Sequence, residues 1–269
     1  HSWYRRQRQM CIRDRIERKD PISAWKFDAI TGITSSIEFR AISKEDPYIA
    51  VGKSSFYMNT KSGTFWERGR IGFGGTITFN GVGVGNSVHS PNVYAMAAGD
   101  FASLARAVAI GNSISTWTPI DLKEQRQIPA IGQVLTVDST YQGNFQDVIW
   151  EGVTNTWVAV GAAGSIFTAV GLTTAEAFSQ YSGTLQQLNA VTFGQSEFIA
   201  VGNGGVILAS NDGTGWSPKV SNTVFDLNDV LYDGSRFIVV GDNGTIGIST
   251  DKNFWQPWSQ QLPAGTQHP

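Results

Sequence analysis

The chain is poor in charge, nearly devoid of histidine and holds one cysteine, and each shortage removes a class of function. Only 16 % of its 269 residues are charged and the formal net charge is −2. A protein that grips phosphate backbones needs a basic surplus, so no nucleic-acid partner is expected. No apolar run approaches the roughly 18 residues of a membrane-spanning helix, so no membrane insertion is expected. The histidines are His1, His89 and His268, and the cysteine is Cys11. A transition-metal site would have to be built from carboxylates, and any nucleophile–histidine–acid triad would depend on His89, so neither a metal nor a cofactor is expected. Against these shortages stand 15 Phe, 9 Trp, 7 Tyr and 30 Gly. That composition excludes a disordered tail, and the length suffices for a core without disulfide or metal staples.

The cysteine and seven of the twenty basic residues fall within the first twenty positions, HSWYRRQRQMCIRDRIERKD. As chemistry, Arg5, Arg6, Arg8, Arg13 and Arg15 would form a basic arm for an anionic surface. As text, RRQRQMCIRDR resembles translated sequencing-adapter read-through of the kind found in metagenome assemblies. Residues 1–20 are therefore set aside as an artefactual or disordered arm, and a true start with any signal peptide is expected elsewhere. The remaining 249 residues carry no cysteine and a net charge of −6.

Those residues repeat. NAVTFGQSEFIAVGNGGVILASNDGTGWSP, from Asn189, matches NDVLYDGSRFIVVGDNGTIGISTDKNFWQP, from Asn228, at a period of 39. Looser copies begin near Asp46, Asn92 and Phe145. The glycine closing the apolar run of each copy is Gly52, Gly99, Gly161, Gly202 or Gly241, at spacings of 47, 62, 41 and 39. In the last copy, Asp229 to Tyr232, Arg236 to Val240, Thr245 to Ser249 and Phe254 to Trp258 read as four short strands, rich in β-branched and aromatic residues. Asn203-Gly204-Gly205 and Asp242-Asn243-Gly244 supply the positive φ of a tight hairpin between the second and third strands. The second strand is apolar without interruption, as in a strand buried on both faces. Ala102 to Ala107 looks helical alone, but its place in the repeat makes it part of a hairpin.

A four-stranded unit repeated at about 40 residues predicts an all-β fold, a β-propeller of antiparallel blades. Five blades are recognisable, at about 36–70, 75–120, 144–182, 187–220 and 226–260 within a domain spanning 21–269. Residues 121–143 are surplus and read as an inserted hairpin or loop. Ala24-Trp25-Lys26-Phe27 reads as a stray strand, which suggests a fragment of a larger propeller. The aromatics Trp66, Trp117, Phe178, Trp216 and Trp255, near the start of the fourth strands, are expected to wedge between blades.

Ser210-Asn211-Asp212-Gly213-Thr214-Gly215-Trp216 has the spacing S-x-D-G-x-x-W. Ser249, Asp251 and Trp255 repeat it, and Thr60, Gly63 and Trp66 form a weaker copy. Here Asp closes the turn on backbone N–H groups, Ser or Thr caps it and Trp packs it against the blade. This pattern resembles the Asp-box of BNR-type propellers, a family that includes sialidases, the photosystem II assembly factor and repeat proteins of bacterial surfaces and phage virions. In that family the box is a folding element, so the resemblance implies a scaffold and no activity of its own.

The expected function is accordingly a non-enzymatic propeller that binds a protein or a glycan, in an extracellular, periplasmic or virion setting. A sialidase-like glycoside hydrolase is the first alternative; it requires clustered arginines with a Tyr and Glu pair, and Arg126-Gln127-Ile128-Pro129 only approximates that family's Arg-Ile-Pro motif. A chaperone like the photosystem II assembly factor is the second, and requires an arginine strip. Gly52-Lys53-Ser54 lacks the P-loop's first glycine, since Pro47 stands there, and Gly81, Gly83 and Gly85 lack the third glycine of a dinucleotide fingerprint, since Asn86 replaces it. Candidate binding residues are Gln146, Asp147, Asn189, Asn228 and Asp229. They form polar pairs, Gln146-Asp147, Leu188-Asn189 and Asn228-Asp229, at the starts of successive first strands, where side chains either ring the mouth of the central funnel or cap the turn between blades.

Overall fold

The computed structural model describes residues 38–43, 47–60, 67–72, 77–87, 90–110, 113–114, 116–128, 133–251 and 256–257. The basic arm, the Ala24–Phe27 segment, Gly63, Trp66, His89 and Trp255 lie outside them. Among the described residues there is no α-helix, and the strands form five sheets in chain order. The first holds Phe39–Ile42, Tyr48–Gly52, Phe56–Thr60 and Glu67–Arg70. In the second, Phe79–Ser87, Ser90–Gly99 and Leu104–Ile110 are followed by Ser113–Ile114 and Thr118–Pro119, both paired to the third strand. The third contains Phe145–Glu151, Thr156–Gly161, Ile166–Val170 and Glu176–Gln180. Leu188–Gly194, Glu197–Gly202, Ile207–Ser210 and Ser217–Lys219 make the fourth. The fifth comprises Leu227–Tyr232, Phe237–Gly241, Ile246–Ser249 and Gln256–Pro257. The first strand of this sheet starts two residues before its sequence pattern suggests, because Leu227 is buried and pairs with Gly241 ahead of a register shift.

Asp121–Ile128 and Gln133–Asp138 form an antiparallel hairpin laid along the outside of the third sheet. Its inner strand runs parallel to Glu176–Gln180, with Asp121, Leu122 and Lys123 opposite Glu176, Ala177 and Phe178. Lys123 Nζ meets Asp138 at 2.7 Å. The helical-looking Ala102–Ala107 is a turn followed by the strand Leu104–Ile110.

The core lies between the sheets. Strand alternation sends side chains to both faces, and each face meets a different neighbour. In the second strand of the fourth sheet, Phe198 and Ala200 pack with Val158, Val160 and Ile166 of the third. Ile199 and Val201, one residue out of phase, pack with Leu227, Phe237 and Val239 of the fifth. Met96, Ala98 and Leu104 of the second sheet meet Phe145 and Trp157 of the third, and Ile49 and Val51 of the first meet Phe79 of the second. Trp117 is buried at that last junction, 5.6 Å from the Tyr57 ring of the first sheet. The first strands thus pack on one another in chain order.

Two local devices set this geometry. The turn between second and third strands has consecutive residues at positive φ: Gly204 (65°) and Gly205 (75°), Asn243 (52°) and Gly244 (70°). That is a type I′ hairpin, whose twist matches the strands it joins. The first and second sheets achieve it with Ser54-Ser55 and Phe101-Ala102 instead, at a steric cost that glycine avoids. The second device is the glycine closing each second strand. Gly202 is extended, with φ −164°, so its conformation is open to any residue. What requires glycine is contact, since a Cβ on Gly202 would overlap the carbonyl oxygen of Gln187, where the chain enters its first strand. Gly52, Gly99, Gly161 and Gly241 meet Glu38, Thr78, Asn144 and Asp226 in the same way.

Gly202→Ala is therefore expected to lower stability by about 1–3 kcal/mol in urea denaturation through overpacking. Gly215→Ala, where nothing lies within 4 Å of the added Cβ, should stay within about 0.5 kcal/mol of the parent.

Candidate functional site

The predicted rim residues fall on a bulge common to all five sheets. Phe39, Phe79, Phe145, Leu188 and Leu227 pair with the closing glycines, and the next paired residues are Ala41, Gly81, Asp147, Ala190 and Asp229. The residue skipped is Arg40, Asn80, Gln146, Asn189 or Asn228. Gln146, Asn189 and Asn228 are thus equivalent, and so are Asp147, Ala190 and Asp229. Matching Leu188-Asn189 to Gln146-Asp147, as the sequence suggests, is one residue out of step, because a bulge's extra residue leaves no trace in an apolar pattern. Asn80 belongs to the same set and escapes the sequence reading, although Phe79-Asn80-Gly81 parallels Leu188-Asn189-Ala190.

Three of these side chains, Asn80, Asp147 and Asn189, tie sheet to sheet. Asn80 Nδ2 donates to the Phe145 carbonyl of the third sheet and to Asp100 Oδ1, both at 2.9 Å. Asn189 Nδ2 donates to the Leu227 carbonyl of the fifth at 2.8 Å and to Asn203 Oδ1 at 2.9 Å. Asp147 Oδ1 accepts from Val148 N–H and Oδ2 from Val191 N–H of the fourth sheet, at 2.9 and 3.1 Å. Asn228 Nδ2 reaches Asp242 Oδ1 at 3.0 Å, and Asp229 Oδ1 accepts from Val230 N–H at 2.8 Å. Gln146 is half-buried at its bulge. Gly81 and Gly83 of the second sheet make room for the next first strand, since a Cβ on either would press on Asp147 or on Val148 and Trp157.

At the opposite, lower end of the sheets, the Ser210–Trp216 turn is closed by its own side chains. Asp212 Oδ1 accepts from the N–H groups of Thr214 (2.8 Å) and Gly215 (3.2 Å), and Ser210 Oγ accepts from Gly213 N–H (2.9 Å). The Gly213 carbonyl takes Trp216 Nε1–H at 3.0 Å and Thr168 Oγ–H of the third sheet at 2.7 Å, so the turn also clamps two sheets together. Thr214 N–H, more than the other donors, holds the Asp212 carboxyl below its ordinary value. Ser249 Oγ and Asp251 Oδ1 lie 3.4 Å apart in the fifth sheet, and Thr60 is buried at the end of a third strand in the first. The equivalents Gly63, Trp66 and Trp255 are outside the described residues.

The upper end, where first strands begin and the type I′ turns lie, differs in kind. Most of the described large apolar side chains left exposed gather here: Phe101 on a turn, Tyr181 and Leu185 on one connector between sheets, Val220, Val224 and Phe225 on the next. The two connectors are built alike. Ser182 Oγ–H donates to the Thr184 carbonyl and Gln186 N–H to Thr184 Oγ1, at 3.2 and 3.0 Å. Ser221 and Thr223 repeat both bonds at 3.1 Å. Gly183 and Asn222 take positive φ at matching positions. Each connector so held turns two apolar side chains outward: Tyr181 and Leu185 are 88 % and 87 % exposed, Val220 and Val224 67 % and 79 %. Residues 219–225 line a shallow hollow of about 610 Å³. The sequence reading missed this surface, though YSGTLQQLN over VSNTVFDLN at the 39-residue period carried the signal.

No family model matches the chain, and no curated protein matches it. Solved structures do. YCF48 bound to D1 peptide is 17 % identical with a TM-score of 0.54, over 82 % of this chain and 66 % of that one. The WD40 β-propeller domain of Doa1 is 10 % identical at 0.51, over 83 % and 69 %. YCF48 from Cyanidioschyzon merolae is 16 % identical at 0.51, over 81 % and 71 %. The fold is a β-propeller. Its five sheets are blades, and the chain spans about two thirds of the length of the propellers it matches.

Two outcomes test the blade junctions. Asn189→Ala removes the donor to Leu227 and Asn203 at a buried site and should cost about 1–3 kcal/mol in urea denaturation. A carboxyl held low in the fold, like that of Asp212, stabilises above its unfolded value of about 4, and its contribution is lost as the pH falls through the folded value. The urea midpoints of the parent and Asp212→Asn should therefore differ most at neutral pH and converge toward pH 2.

Proposed function

We propose that this propeller is a non-enzymatic protein-binding module whose upper face takes a segment of a partner protein. The observation that carries this reading is the pair of matched connectors that hold Tyr181, Leu185, Val220 and Val224 in water. Exposed apolar groups on a fixed frame mark recognition surfaces, and loops on a rigid scaffold are where such surfaces form. The YCF48 neighbour bound to D1 peptide supports a peptide segment as ligand over a glycan. The pattern Ser210, Asp212, Gly213, Trp216 and its hydrogen bonds support membership of the Asp-box type; an extracellular, periplasmic or virion setting rests on the resemblance to that family alone. A hydrolase is disfavoured because Asn80, Asp147 and Asn189 are engaged with the backbone of a neighbouring blade. The four described arginine side chains are also scattered: Arg40 pairs with Glu38, Arg70 lies over the Phe56 ring, Arg106 stands on the third strand of the second blade and Arg236 pairs with Asp233.

The test is to pan a random twelve-residue peptide library on the full chain and measure recovered peptides by fluorescence anisotropy. Leu185→Glu with Val224→Glu is expected to weaken binding tenfold or more while stability changes little, both sites being exposed. Val153→Glu, on the lower face and 91 % exposed, should leave binding intact. Binding that survives the upper-face pair and fails with Val153→Glu would overturn the assignment.

A further inference from the structure

Three Asn-Gly pairs fall among the described residues: Asn80-Gly81, Asn203-Gly204 and Asn243-Gly244. In such a pair the backbone nitrogen of the glycine can attack the side-chain amide carbon of the asparagine, since no Cβ crowds the nucleophile and glycine leaves the backbone free to turn. The reaction is intramolecular, so its rate depends on whether the fold lets the two atoms meet.

Two of the three pairs are restrained. Asn80 Nδ2 is tied to the Phe145 carbonyl and to Asp100 Oδ1, and Gly81 lies so close to the third blade that a Cβ there would stand 2.6 Å from Asp147 Cα. At the second pair, Asn203 Oδ1 accepts from Asn189 Nδ2, and Gly204 N–H donates to Asp226 Oδ1 at 2.8 Å. That last bond occupies the nucleophile itself.

Asn243-Gly244 carries no such restraint. Both residues are exposed, nothing lies within 4 Å of a Cβ built on Gly244, and among the described residues no side chain bonds to the Asn243 amide or to Gly244 N–H. Its place in the turn matters as much. Asn243 is the first central residue of the type I′ turn, at φ 52° and ψ 33°, and this ψ points the Gly244 nitrogen away from the side chain. A type II′ turn keeps nearly the same φ at that position and sets ψ to about −120°, which swings the glycine nitrogen to the side of Cβ. The two turns differ by the flip of one peptide plane. Both keep the 2.9 Å bond from Thr245 N–H to the Asp242 carbonyl, and glycine accepts the change in the sign of φ that the flip imposes on Gly244. In the fourth blade Gly204 and Gly205 fill the same two positions and offer no amide.

We propose that Asn243 is a self-modification site, at which Gly244 N closes on Asn243 Cγ through the II′ form of the turn. The nitrogen gives its proton to solvent and bonds to Cγ; the Cγ–Nδ2 bond breaks, and Nδ2 leaves with a solvent proton as ammonia, giving a cyclic imide. Water then opens the ring at Cγ to give aspartate, or at the backbone carbonyl carbon to give isoaspartate, with the chain rerouted through Cγ. The sum is one water consumed and one ammonia released, with no oxidant or reductant. Either product adds a carboxylate beside Asp242 on the upper face. The inference is independent of the peptide-binding reading.

The test incubates the full folded chain in mildly alkaline heavy-oxygen water and follows the three pairs by peptide mass mapping, each turnover leaving one heavy oxygen in the product. Asn243 is expected to convert at least about tenfold faster than Asn80 or Asn203, and the three rates to draw level in guanidinium chloride, where the restraints are gone. Comparable rates in the folded chain, or a lead for Asn80 or Asn203, would overturn the proposal. A lead for Asn243 that persists undiminished in denaturant belongs to the local sequence and overturns it too. Asn243→Gly reproduces the Gly-Gly turn of the fourth blade and should abolish the acidic form that isoelectric focusing resolves in aged parent chain; an undiminished acidic form would count equally against it.

Discussion

A sheet with two apolar faces has no stable place in water alone, and everything else in this molecule answers to that condition. Alternation along Phe198, Ile199, Ala200 and Val201 commits one strand to two different neighbours, so no blade has a core of its own. Stability resides in the junctions, each a slab of aliphatic and aromatic side chains shared by two sheets. Such an assembly behaves as a row of units coupled to nearest neighbours rather than as one globular core.

The junction dictates local sequence beyond its apolar residues. Bringing one first strand against the next leaves no room for side chains at Gly81 and Gly83, and folding each blade's chain back on itself leaves none at the closing glycine. The bulge beside that glycine turns one polar side chain toward the following strand, where Asn80 and Asn189 satisfy a backbone carbonyl at the bottom of the crevice. The polar groups at these bulges are thus first of all mortar between blades.

Much of the fold was legible in the sequence because its physical causes are local. A type I′ turn needs residues that tolerate positive φ, and Asn243-Gly244 announce one; a strand buried twice needs an unbroken apolar run, and FIAVG is one. What was not legible depends on partners distant in the chain. The bulge shifts register by a residue that only pairing exposes. Leu185 and Val224 have the composition of strand residues, and only the Ser and Thr bonds around them show that they are held in solvent. Nothing in Asp121–Asp138 states that its first strand will lie parallel to Glu176–Gln180, since that contact spans half a hundred residues.

That hairpin makes the third blade six strands wide, and it does so on the rim farthest from the axis. Width there is free of consequence for the neighbouring junctions, whose geometry is set by the inner strands. Growth at the periphery is therefore the direction in which this architecture can gain new surface without renegotiating its symmetry. The outermost backbone of the third blade is now Gln133–Asp138, and the hydrogen-bonding edge that Glu176–Gln180 would have offered to a stray strand is already spoken for.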